Sequence, residues 1–229
     1  GTGLGSSSSF AVGLMHALYA LKGQYVTKYT LAESAAQIEI NILKRTMGKQ
    51  DHYAASYGNL NIFTFQPDES VVVEPVFYQM EVKNTLDDNL MLFYTKLKRD
   101  ASEVLKTQNR AISKKRKVLQ KMRDLVHPLK DVLSGKNNVN VFGEILHKNW
   151  MLKKSITDQV SSAKIDVYYD KAIAAGAIGG KLLGAGGGGF LLFYVEKKNQ
   201  NSVREVLSEL YELKFELDTD GTRITYYDQ

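Results

Sequence analysis

The chain has 229 residues, 44% of them hydrophobic and 24% charged, which suits one large or two small folded domains and excludes a disordered chain. It contains no cysteine, so disulfides, thiolate metal sites and cysteine nucleophiles are excluded, and a reducing cytoplasm is the expected setting. The formal net charge of +5 favours anionic partners, while no apolar run reaches the length of a membrane span and no signal peptide is evident.

In chain order, Gly1-Thr2-Gly3-Leu4-Gly5-Ser6-Ser7-Ser8-Ser9 runs straight into an apolar helical pattern. Ser6 is the expected N-cap, Phe10, Leu14, Ala17, Leu18 and Leu21 follow at helical spacing, and Gly23 ends the helix. The chain has no starting Met and no strand ahead of this loop, so a preceding segment is expected to be missing. A second helix is expected over 30–45, with Leu31, Ala35, Ile38 and Ile42 as its buried stripe and Glu33 and Glu39 elsewhere on its surface. Beyond a turn at Gly48, residues 52–57 read as a short helix stopped by Gly58. Residues 60–65 and 71–76 read as strands, split by the turn Gln66-Pro67-Asp68-Glu69.

Residues 85–89 read as the junction between a domain over 1–84 and a second over 85–229. Then come an apolar strand over 90–94, a long amphipathic helix over 100–133, and helices over 141–156 and 163–175. Two apolar segments, 181–183 and 190–195, flank Gly184-Ala185-Gly186-Gly187-Gly188-Gly189. A helix over 202–213 and strands over 214–217 and 223–227 complete the map, which predicts two α+β domains with antiparallel or mixed sheets. Between residues 96 and 136 lysine and arginine far outnumber Asp100, Glu103, Asp124 and Asp131. This reads as a solvated helix face rather than a nucleic-acid surface, because base-stacking aromatics are sparse there.

The first loop lacks the third glycine of a dinucleotide fingerprint, since Ser6 stands in its place, and it lacks the lysine of a Walker loop. Two readings stay open. One is a phosphate cradle at a helix N-terminus, with serine hydroxyls that donate to phosphate or coordinate Mg²⁺; the other is a tight loop-to-helix junction. Asp51, in Gly48-Lys49-Gln50-Asp51, could cap the helix starting at His52 or accept the proton of a substrate hydroxyl during phosphoryl transfer. His16, His52, His127 and His147 show no metal-ligand spacing and read as structural or surface residues, and Trp150 with 190–194 reads as core. Neither a Ser-His-Asp arrangement nor a Gly-x-Ser-x-Gly elbow can be drawn.

Together these stretches resemble the GHMP small-molecule kinases. The family's phosphate loop looks like Gly3-Leu4-Gly5-Ser6-Ser7-Ser8, its acidic loop like Gly48-Lys49-Gln50-Asp51-His52-Tyr53, and its C-terminal glycine motif like Lys181-Leu182-Leu183-Gly184-Ala185-Gly186-Gly187-Gly188-Gly189-Phe190. Within the family the chain is similar to the heptose 7-phosphate kinases and the kinase domain of fucokinases, through those loops, Asn89-Leu90-Met91-Leu92-Phe93-Tyr94-Thr95 and Leu146-His147-Lys148-Asn149-Trp150.

The resemblance implies a truncated ribosomal-protein-S5-like N-terminal half and a ferredoxin-like α+β C-terminal half. It implies transfer of phosphate from ATP to the anomeric hydroxyl of a heptose 7-phosphate, with another GHMP sugar kinase or a catalytically silent sugar- or nucleotide-binding protein as alternatives. Carried over, Gly3, Leu4, Gly5, Ser6, Ser7 and Ser8 hold the ATP phosphates, Ser6 and Glu39 bind Mg²⁺, and Asp51 is the base. Gly184, Gly186, Gly187 and Gly188 approach the substrate, while Lys49 and Lys181 hold the sugar phosphate. His52 stands where relatives carry glutamine. The implied partners are a sugar phosphate and ATP, with neither nucleic acid nor membrane. The family's first motif has no counterpart, so the chain looks like the C-terminal two-thirds of such an enzyme and is expected to be inactive alone.

Overall fold

The computed structural model describes residues 3–97 and 101–226. Its residues part into two compact units, Gly5–Val76 with Leu217–Gln229, and Gly1–Leu4 with Phe77–Glu216.

In the first of these, helix α1 (Ser6–Leu21) begins behind Gly5, which takes φ +67°; Gly5, not Ser6, is the N-cap, and no side chain caps the helix. The helix is apolar on two faces. Ser8 and Val12 are buried where α1 meets its neighbours, whereas Phe10, Leu14, Leu18 and Leu21 point outward, Phe10 being 71% exposed. The large apolar residues read at helical spacing therefore form the outer face. Helical spacing marks a face without saying what covers it, and the smaller side chains Ser8, Ala11 and Val12 allow the closer approach of other helices.

Helix α2 (Lys28–Ala36) starts earlier than expected because the Thr27 hydroxyl accepts from the Thr30 N–H at 3.1 Å. It continues as a π-helical turn, Gln37–Ile42. Leu31 and Ala35 are buried as expected, but beyond them the wider turn shifts which residues face inward: Glu39 is 3% exposed and Ile42 is 66% exposed, the reverse of the expectation there. Helix α3 (Gln50–Tyr57) ends at Gly58 with φ +63°, as read from the sequence. Strands β1 (Asn61–Phe65) and β2 (Val71–Pro75) form an antiparallel hairpin in which Asn61 lies opposite Pro75. Ala32, Tyr53 and Val71 make the core, with Tyr57, Phe63 and Val73 against them. The expected strand over 223–227 is absent among the described residues, and Tyr227 lies outside them. Instead the Thr222 N–H donates to the Ala55 carbonyl, and Gly221 packs so close that a Cβ on Gly58 would sit 2.1 Å from its nitrogen.

In the other unit, residues 85–89 are the second half of helix α4 (Met80–Asn89), so the expected division at 84/85 falls inside a helix. Strand β3 (Leu90–Tyr94) follows as predicted. The single helix expected over 100–133 is two, α5 (Ala101–Arg123) and α6 (Val126–Leu133). Pro128 accounts for the break: it has no N–H to offer, and its ring crowds the carbonyl four residues back, at Asp124. Lys98, Arg99 and Asp100, part of the basic stretch, lie outside the described residues.

Helix α7 (Val141–Lys154), helix α8 (Ala163–Ala174), strand β4 (Gly179–Leu182) and strand β5 (Phe190–Tyr194) match their expected places to within a few residues. Helix α9 (Gln200–Val206) is shorter than expected because the chain turns out of it to add strand β6 (Tyr211–Leu213), and no strand forms over 214–217. The sheet runs β4-β5-β3-β6, antiparallel throughout, with Leu90 opposite Tyr194, Leu92 opposite Leu213 and Lys181 opposite Leu192. Trp150, Tyr169, Phe93 and Phe193 fill the core beneath it. Glycines let α7 lie directly on β4: a Cβ on Gly179 would stand 1.9 Å from the Gly143 carbonyl oxygen. Helices on antiparallel sheets give the mixed α+β class that the sequence predicts.

Candidate active site

The start of α1 is an uncapped helix N-terminus. The Ser9 N–H is the first to reach a carbonyl, that of Gly5, so the N–H groups of Ser6, Ser7 and Ser8 have no backbone acceptor among the described residues. Such groups, with the helix dipole behind them, favour an anion. Ser6 and Ser7 are exposed, while Ser8 is buried and its hydroxyl donates to Glu39 Oε2 at 3.3 Å.

Asp51 lies in the first turn of α3, is exposed, and stands next to the same turn: a Cβ on Gly5 would lie 3.4 Å from Asp51 Cβ, Cγ and Oδ2. The N-cap of α3 is Lys49, so Asp51 is not spent on capping. Glycine is favoured at Gly5 by its positive φ, while an added Cβ would meet the carboxylate only at ordinary contact distance.

Behind Asp51, Glu39 forms a buried cluster. His52 Nε2 lies 2.9 Å from Glu39 Oε2 and Arg45 Nη1 donates to Oε1 at 2.9 Å. A buried carboxylate needs such donors, and it has them on both oxygens. His52 is wholly buried, with its Nε2 on Glu39, while its Nδ1 meets no hydrogen-bond partner among the described residues. For Mg²⁺, Ser8 and Glu39 supply oxygen donors of the kind a hard cation takes, and Ser8 rather than Ser6 touches Glu39. An oxygen of Glu39 would become a ligand in exchange for a contact to Arg45, His52 or Ser8.

Lys49 turns the other way. Its ammonium contacts both oxygens of Glu33, at 3.0 and 3.2 Å, and the Glu69 carbonyl, so its charge is already met.

In the unit built on the four-stranded sheet, the glycine run joins β4 to β5. Its conformation depends on glycine: Gly184, Gly186, Gly187 and Gly189 all have positive φ. It is pinned at several points. The Gly187 N–H donates to the Val160 carbonyl, the Gly189 N–H to the Leu97 carbonyl, and Gln108 Nε2 to the Ala185 carbonyl. The N–H groups of Gly184, Ala185, Gly186 and Gly188 have no acceptor among the described residues, so they form a second set of unclaimed donors. Gly3 belongs to this unit and packs on the loop: a Cβ on Gly184 would lie 2.7 Å from Gly3 Cα, and one on Gly3 2.9 Å from the Leu183 carbonyl oxygen.

Two lysines stand at the root of this loop. Lys181, on β4, donates to Asn149 Oδ1 at 3.2 Å. Lys153, in the last turn of α7, donates to the Gly184 carbonyl. Burial, with the neighbouring charge of Lys181 added, pushes the Lys153 ammonium down to about 8, and burial lowers Lys181 too. Lys181 was legible as a candidate from its place beside the glycines; Lys153 was not. The signal available was its spacing, one turn beyond Asn149 and three residues beyond the buried Trp150 on α7.

Two family models match the chain, GHMP kinases N terminal domain over residues 1–59 and GHMP kinases C terminal over residues 129–213. A D-glycero-alpha-D-manno-heptose 7-phosphate kinase of Campylobacter jejuni is 29% identical over 231 residues, covering 97% of this chain and 67% of its own length. A galactokinase of Pyrococcus furiosus is 25% identical over 244 residues, 94% of this chain and 67% of that protein. The crystal structure of a D-glycero-D-manno-heptose 1-phosphate kinase from Bacteroides thetaiotaomicron aligns with a TM-score of 0.68 at 26% identity, over 100% of this chain and 65% of that one. The chain therefore spans about two thirds of the length of the relatives it matches.

Proposed function

Since the chain belongs to the GHMP kinases, we propose that it carries the phosphate-binding and catalytic loops of an ATP-dependent sugar kinase, and that its acceptor is D-glycero-D-manno-heptose 7-phosphate, phosphorylated on the anomeric hydroxyl. In this reading the N–H groups and hydroxyls of Gly3, Leu4, Gly5, Ser6, Ser7 and Ser8 hold the phosphates of ATP. Asp51 orients the acceptor hydroxyl and takes its proton once the oxygen has begun to bond to phosphorus, which a loose transition state allows. Gly184, Gly186, Gly187 and Gly188 bring a second backbone close to the acceptor. Of Lys49 and Lys181, the second is the better candidate for the sugar's phosphate, because Glu33 already answers Lys49. Mg²⁺, with Glu39 and a serine hydroxyl as its protein ligands, supplies charge neutralisation when bound.

The observation that carries the reading lies within Gly5–Val76: the uncapped start of α1 has the exposed Asp51 carboxylate beside Gly5. In the other unit, Gly3 packs on Gly184 too closely for a Cβ on either residue. The heptose acceptor is supported by the Campylobacter jejuni and Bacteroides thetaiotaomicron relatives, which are named as heptose phosphate kinases. The galactokinase relative favours a second acceptor, galactose, which belongs in the same assay.

The test is phosphoryl transfer from ATP to the heptose 7-phosphate, read by phosphorus NMR on the protein expressed from its full reading frame. Asp51→Asn is expected to lower turnover by about a hundredfold or more, the scale of a lost acid–base group, with AMP-PNP affinity unchanged. Wild-type turnover in that variant rejects the role of Asp51, and transfer to galactose alone rejects the heptose.

A further inference from the structure

Several charged side chains that leave water are answered by opposite charge among the described residues. Glu39 has Arg45, Lys49 has Glu33, and Lys154, the neighbour of Lys153, has Asp166 at 2.9 Å. Lys153 and Lys181 differ from these. Their hydrogen-bond partners are a backbone carbonyl and an amide oxygen, and among the described residues neither ammonium meets a carboxylate. Two like charges held near one another in a partly desolvated place cost free energy unless an anion joins them. The loop that Lys153 touches also offers the unclaimed N–H groups of Gly184, Ala185, Gly186 and Gly188.

We propose that Lys153 and Lys181 together seat a phosphate dianion beside Gly184, and that Lys153 makes the protein prefer a phosphorylated acceptor to the plain sugar. A phosphate monoester suits the place chemically. It carries close to two negative charges at neutral pH and three oxygens, enough to meet two ammonium groups and a backbone N–H at once. Lysine suits it too, as a compact charge with rotatable donors that can leave the Gly184 carbonyl when a better acceptor arrives. The phosphate has two possible sources, the ester already on the acceptor and the terminal phosphate of the nucleotide. As an acceptor seat it rests on the sugar-kinase reading above; as a phosphate seat it stands on the lysines themselves.

The experiment titrates the full-length protein and its Lys153→Met, Lys153→Gln, Lys153→Arg and Lys181→Met variants by calorimetry. The probes are D-glycero-D-manno-heptose 7-phosphate, the same heptose without phosphate, and AMP-PNP. Lys153→Met, or Lys153→Gln where the first fails to fold, is expected to weaken the heptose 7-phosphate by about tenfold or more, the scale of one charge-assisted contact. Lys153→Arg keeps most of the affinity, and the plain heptose and AMP-PNP are unaffected. If the loss falls on AMP-PNP instead, the seat stands and its phosphate is the nucleotide's. If the Met, Gln and Lys181 variants bind all three probes like wild type, the seat is wrong. Wild-type protein that binds neither the heptose 7-phosphate nor AMP-PNP rejects the kinase reading separately. Inorganic phosphate then decides the seat by phosphorus NMR: a shift lost in Lys153→Met upholds it, and no shift in wild type overturns it.

Discussion

Replacing Gly184 with alanine measures how much the second glycine loop depends on its approach to Gly3. The backbone at Gly184 has φ +70°, a conformation that costs an L-residue about 1–2 kcal/mol. The new Cβ would lie 2.7 Å from Gly3 Cα and 3.2 Å from the Gly3 carbonyl oxygen. Both are backbone atoms and cannot swing aside as a side-chain end would, and overpacking of this kind adds about 1–3 kcal/mol. If the two backbones stay together, the loss is about 2–5 kcal/mol, which for a protein of this size lowers Tm by about 4–20 °C. The chain escapes the second contribution only by letting Gly3 withdraw, and the loss then moves to nucleotide affinity. Thermal melting and AMP-PNP titration, run in parallel, cover both routes. A Gly184→Ala protein with wild-type Tm and wild-type AMP-PNP affinity would refute the claim that this approach matters.

Gly13→Ala is the matched control: it lies within α1 with nothing inside 4 Å of an added Cβ, so it is expected to raise stability by about 0.5–1 kcal/mol, read as a higher Tm. Glu39→Ala strands the buried His52 and Ser8 donors and should cost about 2–4 kcal/mol, seen as a lower urea midpoint at unchanged slope. Phosphate binding should weaken as pH rises past the Lys153 value of about 8, because an ammonium lowered by burial is losing its proton there while phosphate, with its second pKa near about 6, keeps its charge. Lys181 on β4 acts on Lys153 in the same sense; Lys154 and Asp166 answer each other, Lys115 lies on the Ser155 carbonyl, and His147 on the Tyr169 hydroxyl. Calorimetry at pH 7 and pH 9, about one unit either side, checks this, and Lys153→Met should flatten the difference. Folding has the opposite sign: the unfolded lysine keeps its proton to higher pH, so this group makes the native state relatively more stable from about 8 up to its ordinary value of 10.5.

The sequence was most readable where one local rule decides. Gly58 stops α3, the β-branched and aromatic alternation of 61–65 and 71–75 pairs as a hairpin, and the apolar run Leu90–Tyr94 is the buried strand it looks like. It misled where tertiary packing chose between faces. In α1 helical spacing picked out the large apolar residues without saying what covers them, and Ser8 and Val12 are the buried ones, because close helix packing selects small side chains. In the second helix no residue announces the π-helical turn, and that turn is what carries Glu39 inward to Arg45 and His52. Both glycine loops were legible as loops. What escaped was their second layer, since Lys153 is an ordinary lysine on a helix until β4 brings Lys181 alongside it.

That second layer follows a consistent electrostatic logic. Inside Gly5–Val76 the buried carboxylate is fully answered, so Glu39 holds Ser8 and His52 in place at little cost, while Asp51 stays exposed and unspent beside Gly5. In the unit built on the four-stranded sheet, the lysines near Gly184 are answered by neutral oxygens alone among the described residues. If stability were the only demand on these positions, an apolar residue or an added carboxylate would serve better than two partly desolvated cations. A ligand that brings its own charge removes the penalty on arrival, and the gain appears as affinity rather than as stability of the free protein. A plain sugar cannot supply that charge. A phosphate-bearing ligand can, and under the sugar-kinase proposal that ligand is an acceptor that is already phosphorylated.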